Sequence, residues 1–220
     1  MLEEKLVALK RELMGYTGLV EGMVEKAIKG LLQKDRDLLV EVIERDEPKA
    51  NKVEIELDEL CTTLIAQYEP KAKNLRTILM ILKMNNDLER MADHAVNIAQ
   101  AAQFLTERPV VKPWIDVPRM ADVAIGMLKD SVAAFINEDA KLAKGVCLRD
   151  DTVDGLRNQL LRELITFMTS DPTTIERSLQ LIRISSNLER IADLSTNMCE
   201  DVIFMAEGTV IKHHEEEWAQ

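Results

Sequence analysis

Apolar side chains return every third or fourth residue along most of the chain, as in Leu6, Leu9 and Leu13, then Leu19, Met23, Ala27 and Leu31. That spacing gathers them on one side of a helix with about 3.6 residues per turn, so the pattern predicts amphipathic helices. No stretch alternates apolar with polar residues as a half-buried strand would. The pattern breaks at Lys34-Asp35-Arg36-Asp37, Tyr68-Glu69-Pro70, Arg108 to Pro118, Asn137-Glu138-Asp139, Ser170-Asp171-Pro172 and Gly208. Six helices are thereby predicted, over residues 3–33, 38–67, 71–105, 116–136, 140–169 and 173–207. Pro109, Pro113 and Pro118 fix the backbone and remove amide donors between the third and fourth, so a stiff extended connector is expected there.

Self-comparison shows how the six helices are organised. Asn86 to Asn97 reads NDLERMADHAVN and Ser186 to Asn197 reads SNLERIADLSTN, an offset of 100. Arg45-Asp46-Glu47 matches Arg149-Asp150-Asp151, and Gly22-Met23 matches Gly126-Met127, both at an offset of 104. The first three helices therefore recur as the last three, with the length change falling in the connection before the third helix of each unit. The expected fold is all-α: two tandem three-helix bundles related by internal duplication. The first unit is placed at 1–108, the connector at 109–118, the second unit at 119–208 and a tail at 209–220.

Composition agrees with helices: 46% of residues are apolar but only 4% aromatic, with eight Gly and six Pro. Thirty-nine acidic against 28 basic side chains leave a net charge of -11, which disfavours nucleic acid and anionic lipid and favours cations. The longest apolar runs, such as Thr77 to Leu82, fall well short of the roughly 20 residues that span a bilayer. The acidic start, Met1-Leu2-Glu3-Glu4-Lys5, is unlike a secretory leader, so a cytoplasmic location is expected. Cys61, Cys147 and Cys199 are an odd number without a C-x-x-C pair and read as reduced core thiols.

The candidate chemistry is acidic. Glu89 and Asp93 are four residues apart, as are Glu189 and Asp193, so each pair shares a helix face one turn apart. No Lys or Arg is expected to neutralise them from within the helix. A second cluster lies on the preceding helix, with Asp46, Glu47 and Asn51 in the first unit and Asp150, Asp151 and Asp154 in the second. If each helix pair folds back near Glu69 or near Asp171-Pro172, then 46 faces 93 and 50 faces 89, while 150 faces 193 and 154 faces 189. Carboxylates meeting at the same height in both units make an oxygen-rich site, a ligand set suited to Mg, Ca, Mn or iron over zinc or copper(I). A solvated acidic face, paired with Arg45, Lys49, Lys52, Arg90, Arg149, Arg157 and Arg190, is the plainer alternative. Ala50 and Asn51 stand where the second unit has Asp154 and Gly155, so the first site is poorer in charge. Pro48 should kink the second helix by freeing the carbonyl of Glu44.

No phosphate-binding glycine loop and no G-x-S-x-G elbow occurs. His94 is replaced by Leu194 in the second copy, so no imidazole is shared by the two units, and His213-His214 lies in the tail. A carboxylate-bridged di-iron enzyme would carry Glu-x-x-His on two helices, whereas Ala92 and Ala192 stand three residues after Glu89 and Glu189.

Taken together, Asp87 to Ala99, Asn187 to Asp193, Arg45 to Glu47, Arg149 to Asp151, and Glu200 to Gly208 followed by His213 resemble the PhoU family over nearly the whole chain. The resemblance implies paired three-helix bundles whose acidic motifs carry multinuclear metal sites, with divalent or ferric ions among iron, zinc, Mg, Ca and Mn. It implies a non-enzymatic cytoplasmic adaptor, a homodimer, that represses the phosphate-starvation response. The implied partners are the ATPase subunit of the phosphate ABC transporter and the phosphate sensor histidine kinase. A metalloenzyme on a helical bundle and a plain helical scaffold are the alternatives.

Overall fold

The computed structural model describes residues 2–207. In order, the elements are α1 (Leu2–Gln33), α2 (Arg36–Glu41), a π-turn (Val42–Asp46), α3 (Glu47–Tyr68), α4 (Ala72–Thr106), α5 (Asp116–Asn137), α6 (Ala140–Cys147), α7 (Asp150–Ser170), a 3₁₀ turn (Pro172–Thr174) and α8 (Ile175–Glu207). Joining α2 to α3 and α6 to α7 as single arms gives six helices, and no strand occurs among the described residues. Each unit is thus one long helix, one broken arm and a second long helix. The tail at 209–220, with His213 and His214, lies outside the described residues.

The first turn of each unit is built the same way. Lys34 (φ 54°) and Glu138 (φ 54°) take the left-handed conformation that closes a helix. The following amides of Asp35 and Asp139 then bond to the carbonyls of Gly30 and Ala134, both at 2.9 Å. Both aspartates next cap the helix that follows, Asp35 accepting from Asp37 N at 3.0 Å and Asp139 from Leu142 N at 2.9 Å. The tightness of the turn explains Gly30: a Cβ there would lie 2.5 Å from Cδ2 of buried Leu39. The second unit has Ala134 at the equivalent place, and its partner position is correspondingly smaller, Ala143.

Sequence spacing predicts a second helix bent at Pro48 and an unbroken fifth helix, and both are interrupted. In the first unit the Glu47 amide bonds back to the Val42 carbonyl, adding a residue to the turn; Pro48 then sits in the first turn of α3, where its missing amide costs little. The second unit has Thr152 in place of Pro48, yet its arm also breaks, with Arg149 N bonding to Val146 O at 2.9 Å and Thr152 N to Arg149 O at 3.0 Å. Proline is therefore not the sole cause. The acidic residues fall at these interruptions, Asp46 closing the π-turn and Asp150 opening α7.

α4 and α8 form the centre. α4 packs on α1, α3 and α8, and α8 on α4, α5, α6 and α7, so a single apolar core runs through both units. Rising numbers on α4 meet falling numbers on α8. Lys83 Nζ reaches Asp201 Oδ2 at 3.1 Å, His94 Nδ1 lies 2.8 Å from Asn187 Oδ1, and Arg183 Nη2 donates to Asn97 Oδ1 at 2.8 Å. The two helices are antiparallel, and His94 belongs to this seam. The connector is clamped by Lys112, which is held between Asp116 and Glu163, and by Arg177, which donates to the Pro109 carbonyl at 2.9 Å. α5 starts at Asp116, so Pro118 lies inside its first turn.

Gly30→Ala should destabilise the protein by about 1–3 kcal/mol through overpacking against Leu39. Leu39→Ala alone should cost about 2–5 kcal/mol. Together they recreate the second unit's pair, and the double variant should cost at least about 1 kcal/mol less than the sum of the singles in urea unfolding.

Candidate functional site

The second arm of each unit lies antiparallel to its long helix, and the register confirms the facing pairs read from the sequence. Asn85 Nδ2 donates to the Glu54 carbonyl at 2.9 Å, one turn beyond the pair 50 and 89. The rungs of the first unit are therefore Asp46 with Asp93, Ala50 with Glu89, and Glu54 with Asn85. Carried over by the repeat, those of the second are Asp150 with Asp193, Asp154 with Glu189, and Asn158 with Ser185.

In the second unit four carboxylates act on one another. Burial pushes Asp150 up to about 6, and the charges of Asp193, Asp154, Asp151 and Glu189 add to the shift. Glu189 and Asp193 are raised too, first by burial; Asp193 and Asp154 add to Glu189, and Asp154 adds to Asp193. Like charges at this spacing oppose ionisation, and partial burial removes the water that would screen them. Asp151 is exposed and acts on the group only through its charge.

The expectation that no basic residue reaches these acids from within the helix does not hold here. Arg190 Nη1 lies 3.2 Å from Asp193 Oδ2, three residues on, and its Nε lies 3.8 Å from Glu189 Oε2. In the first unit Arg90 turns the other way, toward Asp87 at 3.8 Å. The second unit has Asn187 where Asp87 stands, so Arg190 has no acid on that side.

The first unit is arranged differently. Asp46 is 1% exposed, and its carboxylate is taken by Lys26 at 2.6 Å and Lys49 at 3.3 Å. The equivalent of Lys26 is Asp130, which instead draws Arg149 to 2.6 Å and leaves Asp150 uncompensated. Glu89 is raised above its ordinary value by burial, then by Asp93 and Glu54. Glu47, half-buried at the start of α3, stands outside the group that shares charge with Glu89. The acids that act on one another here are thus Glu54, Glu89 and Asp93. Glu54 was missed in the sequence because its copy is Asn158; following the faced positions one turn past Ala50 would have found it.

Two buried oxygens border this first group. The Tyr16 hydroxyl and Asn85 Oδ1 have no hydrogen-bond partner, and both residues are 1% exposed. Tyr16 is driven above its ordinary range by burial and then by the charges of Glu89, Glu54 and Asp93.

Among the described residues, no three His, Cys, Asp or Glu side chains stand together closely enough to cage a metal ion as they are oriented. The donors are nevertheless oxygen-rich, mutually repelling and bordered by orphaned buried oxygens, which is the chemistry a hard cation satisfies. The cysteines are free: burial pushes Cys61 up to about 12, and Cys199 is raised by Cys147 beside it and by burial. No helix among the described residues is long and apolar enough to cross a membrane.

A duplicated helical bundle with an acidic hairpin in each half is the class these features define. The sequence profile described as "PhoU domain" matches residues 13–102 and again 117–202, and the chain belongs to the PhoU family. It is 39% identical over 212 residues to a phosphate-specific transport system accessory protein PhoU homolog of Aquifex aeolicus, covering 96% of both chains. The crystal structure of PhoU from Pseudomonas aeruginosa superimposes with a TM-score of 0.90 at 34% identity, covering 95% of this chain and all of that one. A phosphate transport system regulatory protein PhoU from Streptococcus pneumoniae gives 0.86 at 26% identity, covering 96% of this chain and 99% of that one. The family is one of accessory proteins, not of enzymes.

Asp150 ionises near its ordinary value when unfolded but near 6 when folded, so between about pH 4 and 6 the native state holds the extra proton. Its contribution to stability is full below that window and is lost as pH rises through 6. In chelator-treated protein, Asp150→Asn should therefore raise the melting temperature at pH 7.5, with the gain shrinking toward pH 4.5.

Proposed function

We propose that this chain is a phosphate-transport accessory protein acting as a cytoplasmic regulatory adaptor. On this reading it represses the phosphate-starvation response by linking the ATPase subunit of the phosphate ABC transporter to the phosphate sensor histidine kinase. The observation that carries the reading is likeness to PhoU proteins along the whole chain in both sequence and fold. A homodimer is the proposed assembly. The net charge of -11 supports protein and cation partners over nucleic acid.

We also propose that the acidic hairpins hold divalent or ferric ions. Asp150, Asp154, Glu189 and Asp193 would serve in the second unit, and Glu54, Glu89 and Asp93 in the first. A bound cation supplies the positive charge that lets repelling carboxylates converge. Because the acids of each unit come from two antiparallel helices, their convergence ties the arms of the hairpin together.

Deleting the gene in its host should leave phosphate-uptake and alkaline-phosphatase genes expressed in phosphate-replete medium. Continued repression, with neither partner recovered in pull-downs, would sink the adaptor reading. Dialysed protein should retain metal by mass spectrometry, and Glu189→Gln with Asp193→Asn should remove the second unit's share. Metal content unchanged by that pair of substitutions would leave a solvated acidic face on a helical scaffold.

A further inference from the structure

The first unit lacks a carboxylate at Ala50 and commits Asp46 to two lysines, yet it holds two features absent from the second. Tyr16 is a large side chain in the core of α1, and its hydroxyl finds neither donor nor acceptor. A buried hydroxyl without a partner opposes folding, a penalty that phenylalanine in the same space would avoid. The charges of Glu89, Glu54 and Asp93 reach it and oppose loss of its proton.

Asn85 is caught in a similar way. Its amide nitrogen donates to the Glu54 carbonyl and to Asp58 Oδ1, both at 2.9 Å. Reversing the amide would set oxygen against two acceptors, so the orientation is fixed and Oδ1 is the atom left without a partner. Asn85 lies one turn from Glu89 on α4, against Glu54 of α3. The equivalents of Tyr16 and Asn85 in the second unit are Met120 and Ser185, and neither offers a phenol or an amide.

We infer that Tyr16 and Asn85 are oxygen donors to the cation of the first unit, which binds one turn along the hairpin from its counterpart, among Glu54, Glu89, the Tyr16 hydroxyl and Asn85 Oδ1. This rests on the proposal that the hairpins bind metal. A cation satisfies every group at once. It accepts both orphaned oxygens and offsets Glu54 and Glu89, and with a ferric ion it releases the phenol proton to solvent as the oxygen–iron bond forms, the iron staying ferric. The two halves of the molecule would then hold chemically distinct sites, all-carboxylate in one and mixed phenol, amide and carboxylate in the other.

The test uses full-length protein carrying Glu189→Gln and Asp193→Asn, loaded with ferric citrate or with manganese(II). The ferric form should show a visible phenolate-to-iron charge-transfer band and retain metal by mass spectrometry. Adding Tyr16→Phe should abolish the band and weaken metal binding about tenfold or more. Asn85→Ser, the second unit's residue, should weaken manganese binding in the same direction. Metal-free Tyr16→Phe should melt no lower than its parent, because the hydroxyl has no partner to lose. Metal retained without a band, and with affinity indifferent to Tyr16→Phe, overturns this inference alone and leaves a water-filled pocket beside the site. Failure of the unsubstituted protein to hold metal in either unit overturns both it and the metal reading.

Discussion

α4 and α8 bear on one another antiparallel, and each also carries the remaining helices of its own unit. A helix with three or more packed neighbours has little surface left. On α4 the buried set includes Met84, Asn85, Leu88, Met91, Ala92, Ala95, Val96, Ile98, Ala99 and Ala102, which covers nearly half of the cylinder. The alanines let neighbouring helices approach closely, since interaxial distance follows side-chain size. Glu89 and Asp93 stand at the edge of the remaining face, on the side of α3. The same holds for Glu189 and Asp193 beside α7. The central contact thus decides where the acids can be, and the interruption of each arm before Asp46 and Asp150 decides what they face.

Within that shared frame the repeats have diverged by linked pairs. Gly30 with Leu39 becomes Ala134 with Ala143, exchanging volume across one turn. Lys26, which holds Asp46, becomes Asp130, which draws Arg149 instead and leaves Asp150, the copy of Asp46, without a lysine. The second exchange matters for chemistry, because it removes the cation from the acidic rung in one unit and keeps it in the other. Ala50 and Glu54 against Asp154 and Asn158 shift the acid by one turn to match.

The duplication, the helix periods and the facing of 46 with 93 and 150 with 193 were legible in the sequence, because they depend on spacing alone. Choices made by flexible side chains were not. Whether Arg190 folds toward Asp193 or Asn187 depends on which neighbour is acidic, and Arg90, with Asp87 available, folds the opposite way. The engagement of Asp46 by Lys26 spans two helices joined by a tight turn, and nothing in either helix pattern announces it. The π-turn was foreseen only as a kink at Pro48. An interruption at the equivalent place without proline shows that proline is not what the two arms share.

An acidic strip can be no more than a solvated face, in which case its carboxylates should be exposed and should ionise as they do in water. Asp154, Asp151 and Asp93 are exposed. Asp150, Glu189, Asp193 and Glu89 are not: each is half-buried, and each is held above its ordinary value first by loss of water and then by a neighbouring acid. Such an arrangement opposes folding at neutral pH, since every ionised group gains less from solvent in the native state than in the unfolded chain. Exchanging one acid of each pair for asparagine or lysine would relieve it without disturbing the apolar seam behind. That the strain stands in both units, built from different residues in each, is the physical reason to read the strip as a place where positive charge is received.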